Sequence, residues 1–494
     1  MHPPRYPVKA ILAGLLAAQI IAILQVYLSN VDLSETLLRL EAHGYLPVPG
    51  HLIAVHLSEL QPAFIGGLFF TFSIGAGLTM VTLSATWCWH QVFNRNRAFG
   101  VLAIGFWLML LIAANGQGFS PVTSLYFLVV PPITFGVAMR WLSPANERTS
   151  MTLRIHILPI CILALLWGTQ WRSSMFLDIR DNLLLSNPVG TAIHDIYYEY
   201  TLYPARVFKT IDQRLLKTVR LEGFRNPAMQ RSVERVLRHY DYLHITDTGP
   251  VDVTIAAEAN QLAFYSGQTA LLAMTHEQFL PSPHTALQTF SAKADGNVFF
   301  RNITIYGLVI GLPLALYIIC HSAARFALAR FLPDQMASKL ATGLGFCIGL
   351  TLLLILYAGG NRTISKEDIA ASLDSTRWQD QVSALKAMAT TEVDVDTFDI
   401  DAQLTASNHV PVRYWLAVAL ANSRRAESLD IITRLLDDPS ANVVSKAFSA
   451  LGQRGNRTHI KSIINTIENS DHWYIQWHAY EALRTLGWQQ QRLY

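Results

Sequence analysis

The chain has 494 residues, 51% of them hydrophobic and 15% charged, where about 25% charged is usual for soluble domains. With a mean hydropathy of +0.27, this excludes a disordered chain and argues against an ordinary cytosolic enzyme. A formal net charge of +3 gives no footing for nucleic-acid binding, and four cysteines in such a length exclude a disulfide scaffold.

The apolar residues gather into seven stretches: 8–28, 62–87, 99–114, 121–139, 153–171, 303–321 and 340–359. Each approaches the about 17–25 residues that cross a ~30 Å hydrocarbon core as a helix. The first is too long for a signal-peptide core and ends in no clear small-x-small cleavage site, so an uncleaved anchor is expected. Pro131 and Pro132 fall inside the fourth. A kink satisfied by neighbouring helices is the plain expectation, and a broken, ligand-binding helix is the alternative.

With the N-terminus in the cytoplasm, the inner rim holds Arg5, Lys9, Arg95, Arg97, Arg140, Arg148, Arg154, Arg325, Arg330 and Lys339, against Glu147 and Asp334. The first outer loop holds Arg39 against Asp32, Glu35, Glu41 and Glu59. Positive charge on short cytoplasmic loops favours this orientation. The expected product is a multi-pass protein of a bacterial inner membrane whose C-terminus is periplasmic. Its expected parts are a membrane domain at 1–171, an inserted outer domain at 172–302, a helix pair at 303–360 and an outer repeat domain at 361–494. Cys88, Cys161, Cys320 and Cys347 all fall in or beside the spans, which leaves the outer regions free of thiols, as suits an oxidising compartment.

Gly307 and Gly311 make one GxxxG pair and Gly345 and Gly349 another. They are expected to bring the last two spans together, with a homodimer through the same faces as the alternative. No Asp, Glu, Lys or Arg falls at the middle of a stretch, which weighs against proton-coupled transport.

In the inserted domain, His194, Asp195 and Glu199 share a helical turn, where ion pairs or caps are the plain reading. Helices are expected at 203–221 and 229–240, and 251–256 alternates like a strand, with 261–265 as its partner. A helix-dominated α+β domain follows. From Arg206 to Arg238 basic residues recur at Lys209, Arg214, Lys217, Arg220, Arg225, Arg231 and Arg235. They suit a helix face on anionic lipid, an acidic partner or plain solvation. His239, Asp241 and His244 hold the ligand inventory of a two-His-one-carboxylate metal site. A helix ending near Tyr240 would keep the three from sharing one face.

Towards the C-terminus a short element recurs at intervals of 31–35 residues: Ala384-Leu385, Ala419-Leu420, Ala450-Leu451 and Ala482-Leu483. In the last two copies it extends to Val443/Ala447/Ala450/Leu451 and Ile475/Ala479/Ala482/Leu483, one face of a helix. Second helices are expected between copies, at 427–436 and 459–467, and no unit buries its face without its neighbours. The pattern resembles the short bacterial HEAT repeats, with Asp438-Pro439 and the helix after it as the best copy. That resemblance implies an α-solenoid that binds a protein partner. Trp473, Trp477 and Tyr480 share a face of the last repeat. Such aromatics are expected either in a partner-binding surface or in the packed end of the solenoid.

The sequence lacks a Walker A loop, GxGxxG, GxSxG and HExxH, so no catalytic residue and no cofactor is expected. The fold expected is mainly α: about seven membrane helices, an inserted α+β domain and a C-terminal HEAT-like solenoid. The function expected is that of an inner-membrane scaffold or assembly factor, set in the lipid bilayer, whose solenoid holds a protein partner. The alternative is a membrane-embedded enzyme or transporter served from the outer face.

Overall fold

Gly44, at φ 78°, closes a 37-residue helix, α1, over Tyr6–Ala42. The Gly44 N–H donates to Glu41 O at 2.8 Å and the Tyr45 N–H to Leu40 O at 3.0 Å, the pair of bonds by which a left-handed glycine ends a helix. At 1.5 Å per residue α1 is about 55 Å long, so it continues well beyond the span expected to end at residue 28. The computed structural model describes residues 6–116, 118–142, 148–170, 172, 174–200, 206–258, 261–359, 364–390, 395–398, 402–455 and 457–491. Arg5, Glu147 and Trp171 lie outside the described residues.

After α1 the main elements are α2 (Leu60–Val92), α3 (Arg97–Ala114), α4 (Pro121–Trp141), α5 (Arg148–Gly168) and α6 (Pro188–Tyr200). Next come β1 (Lys217–Glu222), α7 (Pro227–His239), β2 (Tyr242–His244), β3 (Val253–Glu258), β4 (Gln261–Ser266), β5 (Thr269–Thr275) and α8 (Pro283–Lys293). The chain continues through α9 (Val298–Leu328), α10 (Asp334–Gly359), α11 (Trp378–Thr390) and α12 (Val410–Leu420). It ends with α13 (Ala426–Leu435), α14 (Ala441–Arg454), α15 (Ile460–Asn469) and α16 (Trp473–Thr485). The chain is mainly helical and forms two compact units. One takes residues 1–28, 60–183 and 296–359, and the other residues 29–59, 184–295 and 360–494.

Six helices of the described residues are long and apolar enough to cross a membrane: α1, whose residues up to 28 belong to the first unit, and α2, α3, α4, α9 and α10. The fifth expected stretch is also a helix, α5. π-turns interrupt α2 at Thr71–Gly75 and α9 at Gly307–Gly311, and the two helices meet there. A Cβ on Gly77 would lie 2.8 Å from Gly307 Cα, and one on Gly311 would lie 2.6 Å from Gly77 Cα. The glycines of α9 therefore pack on α2, contrary to the expected pairing with Gly349. Tertiary packing chose a non-consecutive helix as their neighbour, and Gly307 and Gly311 are buried there. Gly349 faces Leu163 of α5, and Gly345 faces the Tyr317 ring of α9.

Several polar groups in this apolar unit are paired. Gln19 Nε2 donates to Phe64 O at 2.9 Å, Thr71 Oγ1 to Gln19 Oε1 at 2.6 Å, and the Tyr126 hydroxyl to Gln25 Oε1 at 2.8 Å. α4 runs unbroken through Pro131 and Pro132. Pro131 has no N–H for Phe127 O, and the Trp107 indole of α3 supplies one at 2.7 Å.

The second unit carries a five-stranded sheet in the order β2-β1-β3-β4-β5, with β1 parallel to β2 and β3 and the remaining pairs antiparallel. The strand expected at 251–256 and its partner are β3 and β4. The helix expected over 203–221 is not formed: its last part is β1. Lys217, Thr218 and Val219 are buried there between two parallel neighbours, a setting that favours β-branched residues. α7 starts at Asn226, whose side chain accepts from the Ala228 N–H, with Pro227 in its first turn. Val233 and Leu237 of α7 and Leu287 and Phe290 of α8 share a core with Val219, Val253, Ile255 and Phe264 of the sheet.

The C-terminal part of this unit is a two-layered helical solenoid. α11, α12, α14 and α16 form its inner row, with α13 and α15 behind. Every repeated Ala-Leu pair is at most 1% exposed. The alanines let helices approach closely, and at Gly452 a Cβ would lie 2.9 Å from Ala482 Cα. Asp438 links two repeats, since Arg413 of α12 donates to its two oxygens at 2.6 and 3.0 Å. One core joins the solenoid to Leu40, Tyr45 and Val48 and to Leu216, Leu243 and Ile245, so solenoid, sheet and first loop fold together.

Candidate functional site

The Ala-Leu pairs face inward, so residues four before each alanine fall on another side of the same helices: Asp380, Trp415, Lys446 and His478. All four are half-buried, in register along the inner row. Lys386 Nζ lies 5.0 Å from the Trp415 ring centroid and Lys446 Nζ 5.7 Å from that of Tyr414. His478 Nδ1 lies 2.9 Å from Glu481 Oε2. The result is a row of mixed character across the repeats: an acid, an indole, an amine and an imidazole. Its chemistry suits the acidic and aromatic side chains of another protein.

The aromatics singled out in the last repeat sit elsewhere. Trp473 is 4% exposed and packs with Leu33, Leu37, Ala54 and Leu57. Its indole N–H donates to Glu199 O at 2.7 Å. Tyr480 is fully buried, and Trp477 is half-buried beneath Lys209, whose Nζ lies 3.5 Å from the ring centroid. The three line an internal contact rather than an open partner surface, because the first loop and the inserted region cover the solenoid's end.

His239, Asp241 and His244 face different partners. Asp241 has φ 58° in the turn between α7 and β2. Its Oδ1 accepts from the Tyr480 hydroxyl at 2.6 Å and its Oδ2 lies 3.1 Å from Arg484 Nε. His239 Nδ1 lies 3.1 Å from Gln489 Nε2, and His244 Nδ1 lies 3.7 Å from Glu234 Oε2. Among the described residues no three His, Cys, Asp or Glu side chains gather where they could hold a metal ion. Burial pushes the Asp241 carboxyl up, against Arg484 and Tyr480. Burial also lowers Lys217, whose Nζ donates to Tyr240 O at 3.0 Å.

Between α1 and the chain before β1 lies a small open pocket of about 30 Å3. Leu33, Leu37, Leu40, Val48 and Leu216 line it with Arg206, Lys209 and Arg214. Arg206 pairs with Asp32, and Arg214 with Asp252. Burial opposes the charge on Asp252, yet Arg214, Arg206 and the Thr218 donors hold its carboxyl below the usual range. Lys209 is lowered to about 7, by burial first and by Arg214, with Glu481 pulling the other way. The basic run, expected on a lipid-facing helix, against an acidic partner or in plain solvation, is broken up. Arg214 and Lys217 point into the fold, and Arg220 donates to Asp247 O at 2.7 Å.

Two further features escaped sequence reasoning. The row was hidden because only the alanines and leucines repeat by identity, and only their offset could have revealed it. The ion pair of Arg180 and Asp181, 2.7 Å apart and buried in the first unit, is formed by sequence neighbours whose burial no local pattern marks.

Residues 402–485 match the family model described as HEAT repeats. No curated protein and no solved structure matches the chain.

Proposed function

We propose that the chain is a scaffold of a bacterial inner membrane, with seven spans, a cytoplasmic N-terminus and a periplasmic solenoid that holds a protein partner. The basic inner rim supports the orientation. So does the make-up of the second unit: residues 29–59, 184–295 and 360–494 correspond to the three long segments that this topology assigns to one face.

The observation that supports the scaffold reading is the row of Trp415, Lys446 and His478, which stand in register on successive inner helices and are half-buried. A stacked array offers such a row as one extended surface. The partner it suits presents acidic and aromatic groups.

Photo-crosslinking tests this in cells. A photoreactive residue replacing Lys446 should give a discrete protein adduct, and one replacing Lys461 on the outer layer should not. Charge reversal by Lys446→Glu should abolish an adduct formed from position 415. Adducts absent at both 415 and 446, in a chain inserted normally, would overturn the reading.

A further inference from the structure

In the second unit, large apolar side chains are exposed at only six described positions: Leu38, Leu52, Val55, Val189, Ile193 and Ile196. None lies in the sheet, in its helices or in the solenoid. Leu38 lies on the last turns of α1, Leu52 and Val55 closely precede α2, and the remaining three lie on α6, just after the first unit's middle stretch, which ends at Leu183. Exposed apolar surface is therefore confined to chain adjoining the apolar helices.

α6 has two faces. Val189, Ile193 and Ile196 follow i, i+4, i+7 spacing on one arc and are 71%, 57% and 47% exposed. On the opposite arc His194 and Tyr198 dock on the solenoid. Asn442 of α14 lies 3.3 Å from His194 Nδ1, and the Tyr474 ring of α16 meets Tyr198 edge-on at 4.7 Å. Asp195 and Glu199 are exposed along the flank.

We infer that α6 is an interfacial helix that lays Val189, Ile193 and Ile196 into the outer leaflet of the bilayer while its other face carries the last two repeats. The inference rests on the reading of the apolar helices as membrane spans. An interfacial helix places its apolar face about 5–10 Å into the headgroup and acyl boundary. The acidic flank leaves nothing to attract anionic lipid, so apolar burial alone drives insertion and zwitterionic lipid is sufficient. The solenoid is thereby held close to the membrane surface.

The test uses the full chain in phosphatidylcholine vesicles doped with phosphatidylcholine that carries a diazirine near the carbonyl end of one acyl chain. Adducts are mapped by mass spectrometry after illumination. Peptides of α6 and α3 should both be labelled, and α15 should not. The double variant Ile193→Asn/Ile196→Asn should lower labelling of α6 by roughly tenfold or more, with α3 unchanged. Labelling of α3 without α6, or of α6 undiminished in the variant, would overturn the inference. If α3 escaped labelling too, the membrane reading itself would fail.

Discussion

The Tyr480 hydroxyl stands 2.6 Å from Asp241 Oδ1, so the last helix of the solenoid is bonded to the turn that feeds the sheet. Tyr480 is fully buried, Asp241 is partly buried, and Arg484 closes the other carboxylate oxygen. A hydrogen bond to a charged acceptor contributes about 1.5–3 kcal/mol. Tyr480→Phe should destabilise the second unit by that order while leaving its fold intact. Asp241→Ala should cost more, because it strands both the hydroxyl and the Arg484 guanidinium. Urea unfolding of the full chain in detergent, followed by far-UV circular dichroism, measures both. A Tyr480→Phe variant as stable as the wild type would show that the bond adds nothing.

This junction marks the limit of what was legible in the sequence. The repeats were legible because a period of about 31 residues needs no partner to be seen. The strand pair β3–β4 was legible because alternation is local and its turn is short. β1 was not. The spacing of Lys209, Arg214, Lys217 and Arg220 imitates a helix face, and only the parallel neighbours β2 and β3 make a strand of its end. For the same reason Trp473 and Tyr480 left a partner surface and a packed solenoid end both open: what covers them comes from far away in the chain. The GxxxG pair was visible as a close-contact face, but its partner α2 is fixed by tertiary packing.

Lys209 predicts a pH dependence. Its folded value of about 7 lies below the ordinary 10.5, so between the two the unfolded chain binds the extra proton. Stability therefore rises with pH across that window, by at most about 1.4 kcal/mol per unit. Lys209→Met removes the ionisation. Melting temperatures of the two proteins should differ most below pH 7, with the variant higher, and converge as the pH approaches 10. A constant difference across the range would mean that Lys209 keeps its proton in the fold.

Gly452 and Gly311 predict losses of different kinds. At Gly452 a Cβ would press on the Ala482 backbone at 2.9 Å, and at Gly311 on the Gly77 backbone at 2.6 Å. Neither neighbour is the end of a flexible side chain, so each helix pair must move apart. Overpacking of this sort costs about 1–3 kcal/mol. Gly452→Val should lower the urea midpoint of the solenoid, and Gly311→Val should lower the thermal stability of the first unit in detergent. Cysteine crosslinking between α2 and α9 locates the second effect, which should fall in yield.

The Trp107 indole occupies the carbonyl that Pro131 leaves without a helical partner. If that is why α4 stays unbroken, the two residues must be energetically coupled. Trp107→Phe alone strands Phe127 O in an apolar setting, a loss of about 1–2 kcal/mol for an interhelical bond between membrane helices. In a Pro131→Ala background the restored N–H satisfies the same carbonyl, so the tryptophan change should cost much less. A double-mutant cycle on thermal stability in detergent isolates that difference. Additive effects would mean that the indole acts through packing alone, and that the proline pair is accommodated by the backbone without its help.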